Sequence, residues 1–162
     1  SWKLAAVADG LADDGLLDTY DQERRPHAAG QVVHSVDAGM LIDAIANDGE
    51  AALGSGYGQR PFPKLKGSMF HGTHDRLGAV LPNPMDGSVL QGQGWRILHH
   101  TKCSEVPAFW HQLNATVTDV ALEAFPGLVT EQASVIVRPD RYIVAVTEDL
   151  GGTTRQLAEA LK

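Results

Sequence analysis

The sequence predicts an α/β chain in which an N-terminal helical segment leads into a βαβ-ββα unit. Three observations carry this. Apolar residues recur at helical spacing through residues 1–46, periodicity is lost over 47–78, and short strand-like runs alternate with helical ones from 79 to 162. A chain of 162 residues can bury a core without disulfides or a structural metal. Its formal net charge of −7 offers no electrostatic footprint for nucleic acid or an anionic membrane. No apolar run approaches the roughly 20 residues that span a bilayer. A single cysteine excludes an internal disulfide and any Cys-x-x-Cys site, and a cytoplasmic location fits best.

Trp2-Lys3-Leu4-Ala5-Ala6-Val7 reads as a helix already under way, with Trp2, Ala5 and Ala6 on one face, so a piece of a longer protein is expected. Gly10 ends that helix, and Asp13-Asp14-Gly15 starts the next with carboxylates at the positive end of its dipole. Leu16, Leu17 and Tyr20 follow at helical spacing. Pro26 disfavours a helical Arg25, so a break or kink is expected there. A third helix then carries a stripe of Ala29, Val33, Val36, Met40 and Ala44, with Val32, Leu41 and Ile45 beside it, and stops at Asn47-Asp48-Gly49.

Residues 47–78 hold seven glycines together with Pro61 and Pro63. Tyr57, Phe62, Leu65, Met69 and Phe70 are too apolar for a plain linker, so an ordered segment packed across another surface is expected. From 79 to 162 the pattern gives a strand at 95–99, a helix at 107–113 with Phe109 and Trp110 inward, and a strand at 117–122. Strands at 134–137 and 142–146 follow, joined by the turn Arg138-Pro139-Asp140-Arg141. A final helix is expected, capped by Thr153 with Gln156 in a capping box, and with Leu157 and Leu161 inward. Strand, helix, strand, then strand, strand, helix is the minimal thioredoxin-like order.

The residues with chemical potential form no constellation. Cys103 sits between the first strand and the next helix, where a thioredoxin-like fold carries its reactive thiol. It has no second cysteine, and Thr130-Glu131-Gln132-Ala133 lacks the proline that faces the thiol in redox-active members, so a bystander is expected. His71, His74 and Asp75 lie within five residues and His99-His100 adds two more, yet no zinc spacing is met, and His27 and His34 are about 10 Å apart along a helix. Gly54-Ser55-Gly56-Tyr57-Gly58 lacks the strand and helix of a dinucleotide site. Glu23-Arg24-Arg25 is either a solvated helix end or a set of charges tying this helix to a neighbouring domain. No catalytic, cofactor-binding or metal-binding residue is assigned.

Trp2-Lys3-Leu4-Ala5, Leu16-Leu17-Asp18-Thr19-Tyr20 and Glu23-Arg24-Arg25-Pro26, in this order and spacing, resemble the FAD-dependent aromatic-ring hydroxylases, the single-component flavoprotein monooxygenases. Leu81-Pro82-Asn83-Pro84 and Val137-Arg138-Pro139-Asp140-Arg141-Tyr142 resemble that family's C-terminal domain and its hairpin. The branch acting on 3-(3-hydroxyphenyl)propionate is the most similar. The resemblance implies a parent that reduces FAD with NAD(P)H and hydroxylates a phenolic ring with oxygen. The dinucleotide fingerprint, the Asp-Gly and Gly-Asp motifs and the substrate-binding sheet have no counterpart here. It further implies 1–46 as the helical tail of the FAD/substrate domain, 47–78 as a connecting segment and 79–162 as a thioredoxin-like C-terminal domain. The expected role of this piece is non-catalytic, in packing against the N-terminal domains or in a homodimer. Two alternatives stay open, a free-standing thiol protein using Cys103 and a non-catalytic interaction module.

Overall fold

A computed structural model describes residues 2–54, 62–87, 94–100 and 106–162. Helix α1 (Trp2–Ala8) and the long helix α2 (Gly15–Asp48) form the N-terminal part, followed by a 3₁₀ turn at Gly49–Gly54. A four-stranded mixed sheet follows, made of β1 (Arg96–His99), β2 (Thr116–Asp119), β3 (Ser134–Val137) and β4 (Ile143–Thr147). Helix α3 (Ala108–Gln112) joins β1 to β2, and α4 (Leu150–Ala160) closes the chain. The spatial order is β2-β1-β3-β4, with β1 and β2 parallel and the other neighbours antiparallel.

β1 and β3 are buried on both faces, and their alternation feeds two cores. Ile97, Ile136 and Val144 point to a layer with Trp110 of α3, Leu157 and Leu161 at the end of the chain, and Leu16 of α2. Leu98, Val135 and Val137 point the other way, onto Leu81, Phe125, Leu128 and Val129. Trp110 also donates its indole N–H to Thr154 (2.8 Å), so its one polar atom is satisfied inside the core. In the hairpin, the Arg141 amide donates to the Arg138 carbonyl (2.9 Å), and Arg141 takes a left-handed φ of 69°. The β3–β4 register slips between Ile136 and Val137, which sets Val137 opposite Ile143.

Several expectations are corrected. α2 runs through Pro26 without a break, although the ring forfeits one helical hydrogen bond. Contacts on both sides of it hold the two halves to one surface: Glu23 and Arg24 bind the hairpin, while His27 packs on Tyr142 (5.9 Å between rings) and Gly30 abuts Pro63. Of the stripe, Ala29, Val33, Val36 and Met40 are exposed and Ala44 is half-buried, because α2 packs through the opposite face. In α1, Lys3 is buried and Ala5 exposed, the reverse of the apolar pattern, and Tyr20 is exposed too. The strand expected over 117–122 ends at Asp119, and Leu122 lies in a 3₁₀ turn.

The cap of α4 is Asp149, not Thr153. Its carboxylate accepts from the Gly152 amide (2.8 Å), and Thr153 lies inside the helix, donating to the Thr147 hydroxyl (2.9 Å). Asp149→Ala should therefore cost about 1 kcal/mol. A lower urea midpoint for Asp149→Ala, with Gln156→Ala unchanged, would establish the cap, and the reverse order would restore Thr153.

The segment 62–81 is ordered, and the surface it packs across is the chain's own β4 edge. The His71 amide donates to Val144 (2.9 Å), Gly78 to Ile143 (2.9 Å), and Leu81 to Arg141 (2.8 Å). Leu65 and Met69 are buried beneath it, whereas Phe62 is exposed. Tyr57 lies outside the described residues.

Candidate functional site

The most unusual chemistry in the molecule is a set of buried charges where α1, α2 and the β3–β4 hairpin meet. Glu23, Arg138 and Lys3 are only 1%, 1% and 2% exposed. Arg138 Nη1 donates to both Glu23 carboxylate oxygens (3.0 and 2.9 Å), and Lys3 Nζ reaches Oε1 at 3.0 Å. Lys3 also donates to the Thr19 hydroxyl, which in turn donates to the Leu16 carbonyl. The far side of the Arg138 guanidinium is closed by Asp140, with Nε to Oδ1 at 3.0 Å and Nη2 to Oδ2 at 2.8 Å. Arg24 adds a second cation to Asp140 at 3.1 Å.

Local sequence places each group. The turn brings Asp140 back onto Arg138 two residues away, so the fork of the guanidinium is held before α2 arrives. Glu23 and Arg24 are neighbours on α2; Glu23 reaches the Nη1 end of that fork and Arg24 reaches the Asp140 carboxylate on its other side. The rings of Trp2 and Phe70 lie 5.2 Å from the Arg138 guanidinium carbon and that of Tyr142 5.9 Å, which encloses the cation in aromatic faces. Burial works against the charge on Arg138, but Asp140 and Glu23 outweigh it and hold its pKa above the ordinary value. For Lys3, burial wins over Glu23 and the pKa is lowered.

Beside this cluster, a half-open cleft of about 490 Å³ is lined by Trp2, Tyr20, Arg24, Gly94 and Pro139 as well as the ionic residues. The charged groups around it are engaged with one another. Among the described residues, the buried side-chain polar atoms without a partner are His34 Nδ1 and His71 Nε2, and neither residue lines the cleft.

The residues singled out in the sequence are dispersed. Cys103 lies outside the described residues, as does most of the Gly54–Gly58 run. His74 accepts the Arg76 amide on Nδ1 (3.1 Å) and contacts the Gly127 carbonyl through Nε2 (3.2 Å). His99 lies 3.4 Å from Asp119, and His100 is 3.1 Å from the Val120 carbonyl. Among the described residues, no three His, Cys, Asp or Glu side chains converge on one point. The two readings of Glu23-Arg24-Arg25 divide: Glu23 and Arg24 are structural ties, while Arg25 is 79% exposed and pairs with Asp21 (3.0 Å). In the sequence Lys3 and Arg138 carry no role beyond their motifs; the signal available was a lysine in the first turn of a helix whose near neighbours Trp2 and Ala6 are apolar.

Two histidines should make stability pH-dependent. Burial lowers the pKa of His27, assisted by the charge of Arg24 and opposed by a hydrogen bond with the Pro63 backbone; burial alone lowers that of His71. The unfolded chain, near 6.5, then takes up protons before the folded one. Stability present above 6.5 is lost as pH falls through the lower folded values. Urea midpoints should decline as pH falls through and below 6.5, and the decline should shrink in His27→Asn. A flat profile would contradict the burial of both rings.

An FAD binding domain family model matches residues 1–35. A 3-(3-hydroxy-phenyl)propionate/3-hydroxycinnamic acid hydroxylase of Mycolicibacterium vanbaalenii is 56% identical over 52 residues, 32% of this chain and 9% of the relative. The enzyme of that name from Escherichia coli O139:H28 is 55% identical over 42 residues, 26% of this chain and 8% of its own length. Two solved structures share the fold over 98% of this chain. One is a RebC variant soaked with chromopyrrolic acid, at 24% identity and TM-score 0.66 over 39% of its length. The other is aklavinone-11 hydroxylase with FAD and aklavinone, at 22% and 0.63 over 38%. The matched stretch spans less than a tenth of the curated relatives, and the chain spans about two fifths of the solved neighbours. The family resemblance carried by the Trp-Lys-Leu-Ala and Glu-Arg-Arg-Pro runs is borne out over the matched part of the chain, which is similar to an FAD binding domain and to curated hydroxylases of that family. Among the described residues, the ionic groups beside the cleft are engaged with one another, and no unpartnered buried polar atom lines it.

Proposed function

We propose that this chain is the C-terminal portion of an FAD-dependent aromatic-ring hydroxylase and that its own role is to anchor the tail of the FAD domain to a C-terminal unit. The carrying observation is that the stretch matching the FAD binding domain family places Lys3 and Glu23 in a buried ionic cluster with Arg138 of the hairpin. In such a parent the flavin supplies the redox chemistry, with NAD(P)H as reductant and a phenolic acid as substrate. This chain supplies packing, and its contribution is non-catalytic. The N-terminal FAD and substrate domains are its partners.

Residues 79–162 are read as a thioredoxin-like domain, which the strand order β2-β1-β3-β4 and the helices α3 and α4 support. Residues 1–46 are then the tail of the FAD domain and 47–78 the connection. A cytoplasmic location accords with the acidic composition; among the described residues no helix is long and apolar enough to cross a membrane.

The test is the protein encoded by the whole reading frame that contains this chain. It should purify with bound FAD and oxidise NAD(P)H in step with hydroxylation of 3-(3-hydroxyphenyl)propionate or a related phenol. The 162-residue chain alone should show neither property, and Cys103→Ser should leave turnover of the whole protein unchanged. A flavin-free product, or peroxide or disulfide turnover that depends on Cys103, would replace this reading with the thiol-protein alternative.

A further inference from the structure

α2 changes character at Pro26. Before it, Leu16 and Glu23 are buried; beyond it, Asp37 is the one buried residue of the helix. From 27 to 48 the helix rests on its own chain through few contacts. The His27 ring packs on Tyr142 (5.9 Å between rings), Gly30 on Pro63, and the His34 ring on Phe62 (4.4 Å), and Asp37 is engaged as well. A half-helix held this thinly opens at low cost. Pro26 also fixes where it bends. Its ring crowds the preceding turn and it has no amide to donate to the Gln22 carbonyl, so the helix is weakest between its anchored and its outer half.

His27 stands next to that weak point, and the charges around it are already committed. Glu23 and Arg24 lie one turn back on α2, the hairpin brings Arg138, Asp140 and Tyr142, and the segment at Pro63 brings Lys64. Glu23 is shared by Lys3 and Arg138, and Asp140 by Arg138 and Arg24. Three cations thus face two carboxylates, and Lys64, bound to the Asp75 carbonyl, adds no anion. The guanidinium carbons of Arg24 and Arg138 stand 5.3 and 5.9 Å from the Tyr142 ring, the same ring on which His27 packs. An imidazolium there is a third cation about one ring, and among the groups just named no carboxylate is left to receive it.

We propose that Pro26 and His27 form an acid-operated hinge: protonation of His27 releases residues 27–48 from Tyr142 and Pro63, and this outer half of α2 swings at Pro26 while residues 15–25 stay anchored to the hairpin. Burial, and then the charge of Arg24, hold the His27 pKa of the closed form below 6.5, against a hydrogen bond with the Pro63 backbone. The open form is therefore the one that takes up the proton as pH falls below 6.5. Each pH unit down to the closed-form pKa favours opening by up to about tenfold. This inference goes beyond the proposed function and does not rest on it.

The test is the distance between spin labels on the 162-residue chain, placed at Met40→Cys on the outer half and Thr116→Cys on β2. Both positions are exposed, and Cys103→Ser removes the single native thiol. One narrow distance is expected at about pH 7.5, and a second, distinct population at about pH 5.5. His27→Asn, which cannot take the charge, should keep the single distance at both values. Pro26→Ala, which restores the missing hydrogen bond, should cut the open share several-fold at the lower pH. Circular dichroism at both values verifies that the sheet stays folded. An unchanged distance distribution on acidification overturns the proposal. So does an open population that persists in His27→Asn or is indifferent to Pro26→Ala, or one that appears only with loss of the sheet.

Discussion

Glu23→Ala should destabilise the chain by about 3–5 kcal/mol, the cost of removing one partner from a buried ion pair. The carboxylate accepts from Arg138 and pairs with Lys3, and all three are almost wholly out of solvent. Its removal leaves two buried cations facing each other, with Asp140 engaging only Arg138 and Arg24. At roughly 2–4 °C per kcal/mol for a chain of this size, the melting temperature should fall on the order of 10 °C. The triple change Lys3→Met, Glu23→Leu and Arg138→Met should cost less than Glu23→Ala alone, because no charge is then left unpaired. A loss below about 1 kcal/mol for Glu23→Ala would mean that water reaches the cluster.

Gly78→Ala should be nearly as damaging, by a different route. Gly78 has a φ of +71°, and a Cβ there would overlap the Leu65 carbonyl oxygen and lie 2.9 Å from the carbonyl carbon. Both atoms are backbone and cannot swing aside. Leu65 and Gly78 are joined by a 2.8 Å hydrogen bond, and Gly78 also donates to Ile143 of β4, so the clash pushes segment 62–81 off the sheet edge. Partial loss of Leu65 and Met69 from the core, added to left-handed strain, comes to on the order of 3–5 kcal/mol. The amides of His71 and Gly78 should lose exchange protection before those of β1 and β3. Retained protection with less than about 1 kcal/mol of loss would show that the segment tolerates the shift.

The sheet was legible in the sequence because its central strands are short runs of β-branched and aliphatic residues, such as Ser134-Val135-Ile136-Val137, bounded by a Pro-Asp turn. The hairpin and α3 lie where the pattern puts them, whereas α4 starts earlier than the Thr153 cap implied, because Asp149 caps it. Helix α2 was misread because local rules favour a stop at Pro26, whereas the tertiary contacts of Glu23, Arg24 and His27 carry the helix past it. Its apolar stripe pointed to the wrong face because the face that packs is polar and finds ionic partners distant in sequence. The buried cluster was out of reach for the same reason: Glu23 and Arg138 are 115 positions apart, and nothing in either local run signals the other. Segment 47–78 was expected to cover a surface, but which surface depends on β4, whose edge position no local pattern reveals.

Amide hydrogen exchange on the 162-residue chain and on Arg138→Met tests most directly whether α1, α2 and the sheet are one unit. The slowest amides of α1 and the first turns of α2 should share an opening free energy with those of β3 and β4 in the wild type. In Arg138→Met the helices should open well below the sheet. Helices that already exchange independently of the sheet in the wild type, or protection unchanged in the variant, would contradict the anchoring role.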